Sequence, residues 1–228
     1  MAMEPQAYLF DLDGTLVDTE SLWAEAIRDF IADRSGLALS VDEVLQLVFG
    51  HSWLDIHADL HRRFPGAVGE SAGQAAIDLR PYYLKLRAES DNIVIRSSVE
   101  MLKRVSRSAP AIIVSGSPHD DVVEAARMMG ISPCLKFVLG AEDYLCGKPS
   151  PDGFLTGAEK LGVDPAYCVV FEDSPAGVAS AKAAGMYCVA LDRTGKNRDL
   201  LGEADWIVDD LGKFTPEAFE EARARQGA

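Results

Sequence analysis

Asp11 and Asp13 stand on either side of Leu12, directly after the apolar run Ala7-Tyr8-Leu9-Phe10 and just before Gly14. A strand that ends this way presents two carboxylates at its mouth and then turns. Two unit charges about 4 Å apart repel by about 4 kcal/mol at an effective dielectric of about 20. The pair is therefore costly unless it performs chemistry or holds a cation. The plainer alternative is a polar turn, since Asp and Gly are ordinary turn residues. Three further stretches weigh against it. Ser115-Gly116-Ser117 follows Ala111–Val114, and a hydroxyl with backbone N–H groups at a helix start forms a phosphate cradle. Gly147-Lys148-Pro149 sets a lone cation in a loop, and Glu172-Asp173 follows Cys168–Phe171 and leads into Ser174-Pro175-Ala176-Gly177. Each has a plain reading by itself: a capped turn, a solvated lysine, acids at the positive end of a helix. All four at corresponding strand ends make a built site.

The charge arithmetic points to a cofactor. Asp11, Asp13, Glu172 and Asp173 carry four negative charges and Lys148 returns one. Such a crevice repels itself without a bound cation. Every candidate ligand is an oxygen, with no histidine or cysteine among them. A hard ion fits, and Mg2+ is the usual choice where phosphate shares the coordination sphere.

The elements that must position these groups alternate along the chain. Apolar runs at Ala7–Phe10, Ala111–Val114, Phe137–Leu139, Cys168–Phe171, Tyr187–Leu191 and Trp206–Val208 read as strands. Amphipathic stretches such as Val122–Met129 and Ala176–Ala184 lie between most of them. Strands apolar throughout and alternating with helices predict an α/β fold, a doubly wound, mainly parallel Rossmann-like sheet covered on both faces. Ser117-Pro118, Ser150-Pro151 and Ser174-Pro175 each read as an N-cap serine with proline at the first helical position, and Asp120 gives Ser117 a loose capping box.

One connection breaks the rhythm. About a hundred residues separate the first strand from the next, far more than the dozen or so a helical crossover needs. Leu22, Trp23, Ala26, Ile27, Phe30 and Ile31 form one apolar stripe; Val44–Val48 and Trp53–Leu60 suggest two more helices, and Ile77–Leu86 a fourth, bent or broken near Pro81. The expected organisation is a catalytic core at 1–17 and 88–228, with a helical bundle cap inserted at 18–87 and hinged near both ends.

Bulk composition bounds the partners. The 228 residues are 48% hydrophobic and carry 22 Lys and Arg against 36 Asp and Glu, a net charge of −14. That surface repels nucleic acid and anionic membranes, which leaves a small metabolite as the expected partner and a monomer as the default state. It repels a phosphorylated substrate too, so an anion site must be built locally. Cys134, Cys146, Cys168 and Cys188 form no CxxC pair, and the latter two sit in apolar runs like buried thiols. With no signal peptide and no transmembrane-length apolar run, the expected location is the reducing cytoplasm. Met1–Pro5 reads as a frayed terminus.

Asp11-Leu-Asp-Gly-Thr-Leu-Val-Asp-Thr-Glu, Ser115, Lys148 with Pro149, and Glu172-Asp-Ser-Pro-Ala-Gly-Val through Ala184-Gly-Met resemble the four motifs of the haloacid dehalogenase-like hydrolase superfamily. The helical insert is similar to the cap of the branch that contains beta-phosphoglucomutase and many small phosphatases. The resemblance implies a magnesium-dependent phosphatase acting on a small phosphate monoester. Asp11 would be the nucleophile that forms an aspartyl-phosphate, and Asp13 the general acid and base. Ser115 and the Gly116 N–H would hold phosphoryl oxygens, and Lys148 would neutralise charge. Mg2+ would sit on the Asp11 carboxylate, the Asp13 carbonyl and Asp173, with Glu172 binding directly or through water.

The pattern also departs from that branch. Trp23 stands where a mutase-like member carries histidine, and the cap loop reads Val48-Phe49-Gly50-His51-Ser52-Trp53, with Trp53 in place of an arginine that would clamp a second phosphate. These losses favour hydrolysis over a phosphoglucomutase-type transfer. Trp23 and Trp53 are candidate contacts for a substrate with apolar or ring character, or else cap core. His119, just past the cradle, is a candidate substrate contact or a surface histidine. His57 and His61 lack a third ligand for zinc and read as structural or solvated. Three rival readings stand further off. A metal-independent dehalogenase does not need Asp13 or Glu172-Asp173. A phospho-accepting receiver module carries its aspartate on a middle strand and has no large insert. A quiet relative that only binds would not keep all four elements.

Overall fold

The computed structural model describes residues 4–48, 53–90 and 93–226. Met1–Met3 of the expected frayed terminus and Phe49–Ser52 of the cap loop lie outside the described residues. Six apolar runs become strands β1 (Ala7–Phe10), β2 (Ala111–Val114), β3 (Leu135–Leu139), β4 (Cys168–Glu172), β5 (Tyr187–Leu191) and β6 (Trp206–Val208). They form one sheet in the order β3-β2-β1-β4-β5-β6, every adjacent pair parallel. The fold class is the one read from the sequence. β3 begins earlier than Phe137 and β4 extends to Glu172, so the first acid of that pair belongs to the strand itself.

The chain winds outward from β1 through β2 to β3, then returns to lay β4 on the other side of β1. Such a reversal opens a crevice at the carboxyl ends of the strands. It falls between β1 and β4, whose ends carry Asp11 and Glu172-Asp173. All four β1 residues are buried. Tyr8 and Phe10 pack into one apolar layer and Ala7 and Leu9 into the other, as the two-residue period of a strand requires. Phe10 stacks on Phe171 at 4.6 Å, and Phe171 meets Phe214 edge-on at 4.9 Å.

Between Val17 and Val94, which pair antiparallel, lies a separate compact unit, Asp18–Ile93; Met1–Val17 with Val94–Ala228 forms the other. The inserted unit consists of α1 (Thr19–Ser35), α2 (Val41–Val48), α3 (Trp53–Arg63) and α4 (Ala72–Glu89). Asp18 caps α1 by accepting from the Ser21 N–H at 3.3 Å, and Gly36 ends it in the left-handed region that glycine favours. Ala26, Ile27, Phe30 and Ile31 of the expected stripe are buried in a core shared with Val44, Leu60 and Leu79, and Trp23 packs against it; Leu22 is buried as well. Of the bend or break expected near Pro81, the break does not occur. α4 starts at Ala72 and runs through the proline, its side chains on either side (Leu79, Tyr82, Tyr83) held in that core, which offsets the one backbone hydrogen bond proline cannot make.

In the sheet-containing unit, α5 (Arg96–Val105), α6 (His119–Met128) and α9 (Pro216–Gln226) cover one face, and α7 (Asp152–Leu161) and α8 (Pro175–Ala183) cover the other. Only one of the three serine caps is made as expected. Ser174 accepts from the Gly177 N–H with Pro175 at the first helical position. At the other two sites the proline itself occupies the cap position, so α6 starts at His119 and α7 at Asp152. Ser150 still bonds the first residue of α7. Ser117 has a different partner, described below.

Candidate active site

Asp11 is the first residue beyond β1, and its N–H continues the ladder by donating to the Phe171 carbonyl at 2.9 Å. This backbone bond sets its buried side chain at the switch point, beside the end of β4. Oxygens of Asp11, Glu172 and Asp173 lie within 4.8 Å of one another, and all three residues are buried. The Lys148 ammonium reaches into the group and donates to Asp11 Oδ1, Glu172 Oε1 and, at 3.3 Å, the Val114 carbonyl.

Glu172 is saturated from its other side. Oε2 accepts from the Asp173 N–H (3.0 Å), the Ser174 N–H (3.1 Å) and the Ser174 hydroxyl (3.0 Å). Space for it exists because residue 177 is glycine: a Cβ there would lie 1.9 Å from the Glu172 carboxyl carbon. Gly14 does the same for Asp173. Its φ of +90° suits glycine, and a Cβ would lie 1.9 Å from Asp173 Oδ2. Asp173 Oδ1 is oriented by the buried Thr15 hydroxyl at 3.1 Å.

Asp13 belongs to a second cluster. Its Oδ2 accepts from the Ser115 hydroxyl at 3.1 Å and the Ser117 hydroxyl at 2.7 Å. Ser117 is therefore not the cap of α6: its hydroxyl holds a carboxylate, and its own N–H donates to Ser115 Oγ at 3.0 Å. The cradle loop is braced from behind. The Ser115 N–H donates to the Leu139 carbonyl at 3.0 Å, and the Tyr144 hydroxyl donates to the Ser115 carbonyl at 2.8 Å. Gly116 is exposed, with open space around it.

Electrostatics follow from burial. The Asp11 carboxyl is raised to about 8, chiefly by desolvation; Lys148 opposes the rise, while Glu172 and Asp13 add to it. Burial also opposes the Lys148 ammonium, but the attraction of Asp11 and Glu172 reverses this and holds its pKa above that of an ordinary lysine. One buried cation thus leaves the carboxylates under-compensated. An all-oxygen donor set with excess negative charge fits a hard divalent cation.

The remaining candidates have partners of their own. The His119 ring is bonded to Asp143 at 2.6 Å, which raises its pKa. In the inserted unit Trp23 stacks on Tyr83 with ring centroids 4.1 Å apart, and Trp53 donates from its indole N–H to the Ala72 carbonyl at 2.9 Å. His57 and His61 bond the Gly69 and Val68 carbonyls, each at 2.8 Å, and so fasten the loop between α3 and α4.

Residues that sequence reasoning passed over are Thr15, Ser117 as a partner of Asp13, Tyr144 and Gly177 as a spacer. Thr15 offers a direct test. Thr15→Val keeps the shape and removes the bond to Asp173. We expect about 1 kcal/mol of lost stability and a 10-fold or greater rise in the Mg2+ concentration needed for half-maximal activity, about the loss typical of an orienting partner. A Mg2+ titration of activity alongside thermal melts checks it.

A profile of the haloacid dehalogenase-like hydrolases matches residues 5–185, a span that contains every group just described. The chain belongs to this family. Among haloacid dehalogenase-like relatives, it is 32% identical over 209 residues to the validoxylamine A 7'-phosphate phosphatase of Streptomyces hygroscopicus subsp. limoneus, covering 89% of this chain and 92% of that one. It is also 32% identical over 224 residues to hexitol phosphatase A of Escherichia coli strain K12, covering 93% and 94%. The beta-phosphoglucomutase of Clostridium difficile superposes with a TM-score of 0.72 over 97% of this chain and 98% of that one; at 24% identity this shows a common fold. The resemblance carried by the four motifs is thus borne out. No helix among the described residues of this hydrolase is long and apolar enough to cross a membrane.

Proposed function

We propose that this hydrolase is a Mg2+-dependent phosphatase that cleaves a small phosphate monoester through an aspartyl-phosphate on Asp11. The observation that carries this reading is the pair of clusters at one switch point: a buried carboxylate bridged by lysine beside Asp173, and a second carboxylate held by two serine hydroxyls. In the first step an Asp11 oxygen attacks phosphorus and the bond to the leaving oxygen breaks, while Asp13 supplies the proton that oxygen needs. In the second step Asp13 takes a proton from water, whose oxygen displaces Asp11 and releases phosphate.

The serine geometry couples these steps. A hydroxyl has one proton to donate. With Asp13 ionised, Ser115 gives that proton to Asp13. Once Asp13 carries its own proton, Ser115 is free to turn toward a phosphoryl oxygen, alongside the Gly116 N–H. Lys148 stays on Asp11 and on the transferred group, where charge accumulates. Asp11, the Asp13 carbonyl and Asp173 would hold the Mg2+ ion. Glu172, already committed to four hydrogen bonds, acts through Lys148 and the Asp173–Ser174 backbone. When bound, the cation neutralises the repulsion that keeps a carboxylate from an anionic phosphate.

The small-metabolite class follows the relatives, two of which are phosphatases by name. Trp23, the residue at the position where the mutase-like branch carries histidine, is engaged with Tyr83, which supports hydrolysis over transfer to a sugar phosphate. A role for Trp23, Trp53 or His119 in contacting substrate belongs to the same proposal. The buried thiols, Cys168 pushed up to about 12 by burial, fit a reducing compartment such as the cytoplasm.

A panel of sugar and polyol phosphates incubated with Mg2+, scored for released phosphate, tests the reading. Turnover that survives EDTA overturns it. A linked expectation concerns protons. Without the cation Asp11 holds a proton below about pH 8, so Mg2+ must displace it. Binding at pH 7 should release up to about one proton, and Mg2+ affinity should rise with pH until it levels above about 8. Calorimetry in two buffers of different ionisation enthalpy reads this directly.

A further inference from the structure

At the opposite, amino-terminal edge of the sheet, a groove of about 590 Å³ runs between the end of α5 and the starts of β2 and β3. Its lining includes Lys103, Arg107 and Lys136 and, among the described residues, no carboxylate, in a chain that carries 36 acids against 22 bases. A second groove of about 430 Å³ shares the Lys103 and Arg107 wall and adds Arg104 and Glu100.

The helix dipole accounts for part of this. Lys103 and Arg104 sit in the last turn of α5, where cations are favoured. Lys103 is paired with Glu100 at 2.9 Å, and Arg104 donates to the Gly212 and Phe214 carbonyls. Neither explanation reaches the other two. Arg107 lies past the helix end and Lys136 comes from β3; both are exposed. The two cations thus come from separate elements and line one groove. The rest of its wall is mixed: Ser106 and Ser108 add hydroxyls beside Ala109, Pro110, Pro133, Cys134 and Leu135.

We propose that this groove is a second binding site, for a nucleoside di- or triphosphate. Three cations match a chain of phosphates, the proline-lined wall matches the flat face of a base, and the volume falls within the range of small-molecule sites. The site is separate from the carboxylate crevice: β2 alone, four residues long, puts about 13 Å between its edge and Ser115. The proposal does not rest on the catalytic reading above.

The test is ADP binding to the whole protein in EDTA, followed by calorimetry. Under these conditions the acidic crevice, lacking its cation, repels polyphosphates. The expected result is saturable 1:1 binding, at least 10-fold tighter than that of adenosine or of tripolyphosphate. The R107E/K136E double variant should weaken ADP binding at least 10-fold while turning over a phosphate monoester at the wild-type rate without ADP. As an independent reading on the wild-type chain, periodate-oxidised ADP should label Lys103 or Lys136. Absence of saturation, equal affinity for tripolyphosphate, undiminished binding by the variant or labelling at other lysines overturns the proposal.

Discussion

Asp11→Asn should lower the turnover of any phosphate monoester this hydrolase accepts by about 10⁴-fold or more, the scale on which loss of a nucleophile is felt. The substitution keeps the size of the side chain and one oxygen, but a neutral amide is a poor nucleophile and a poor partner for Lys148. The loss belongs in kcat, because substrate contacts made by Ser115, Gly116 and Lys148 persist. Stability should move the other way. Desolvation already holds the Asp11 carboxyl up to about 8, so the metal-free variant at pH 8 or above no longer keeps an under-compensated charge buried and should melt no lower than the parent. A second readout separates nucleophile from ligand: acid-quenched wild-type enzyme should carry a phosphoryl group on Asp11, and Asp13→Asn should carry it longer. A variant free of deamidation that retains wild-type turnover would sink the mechanism.

Gly177→Ala is the second large effect. One added methyl group would lie 1.9 Å from the Glu172 carboxyl carbon and equally close to Oε1, well inside contact distance. The backbone of α8 is fixed by the Ser174 cap, so the carboxylate must move. In moving it gives up the Asp173 and Ser174 N–H groups, the Ser174 hydroxyl and Lys148 together. Overpacking of this kind costs about 1–3 kcal/mol, and loss of an orienting shell about 10- to 100-fold in metal affinity or activity. With Lys148 also released, we expect at least the upper end of that range in turnover and only a modest fall in melting temperature. Gly177→Ala with Glu172→Ala should recover the stability and none of the activity.

The strands and the sheet class were legible because β1, β2, β4 and β5 are buried along their whole length, so apolar runs such as Ala7–Phe10 and Cys168–Phe171 announce themselves without alternation. Asp11, Asp13, Lys148 and Glu172-Asp173 were legible because charge beside such runs has few structural uses. Side-chain partnerships across the chain were not. Nothing local to Thr15 names Asp173, and nothing local to Ser117 separates a helix cap from a carboxylate partner. Pro118 illustrates the ambiguity, since proline suits the cap position as well as the first turn; backbone torsions chose the former. Pro81 does not break its helix, because packing of Leu79, Tyr82 and Tyr83 outweighs one absent hydrogen bond. Trp23 and Trp53 could be assigned to helices, but which neighbour a helical side chain meets depends on the whole bundle.

The Thr15 hydroxyl and Asp173 are 158 residues apart in sequence, and Lys148 and Asp11 are 137 apart. Such a site cannot outlive the sheet that assembles it, nor can any fragment of the chain rebuild it. A cation bound there would consequently clamp the sheet-containing unit, adding about 2.7 kcal/mol against unfolding at a hundredfold excess over its dissociation constant. With Mg2+ as the proposed ion, its withdrawal would cost both the proposed reaction and that share of the stability.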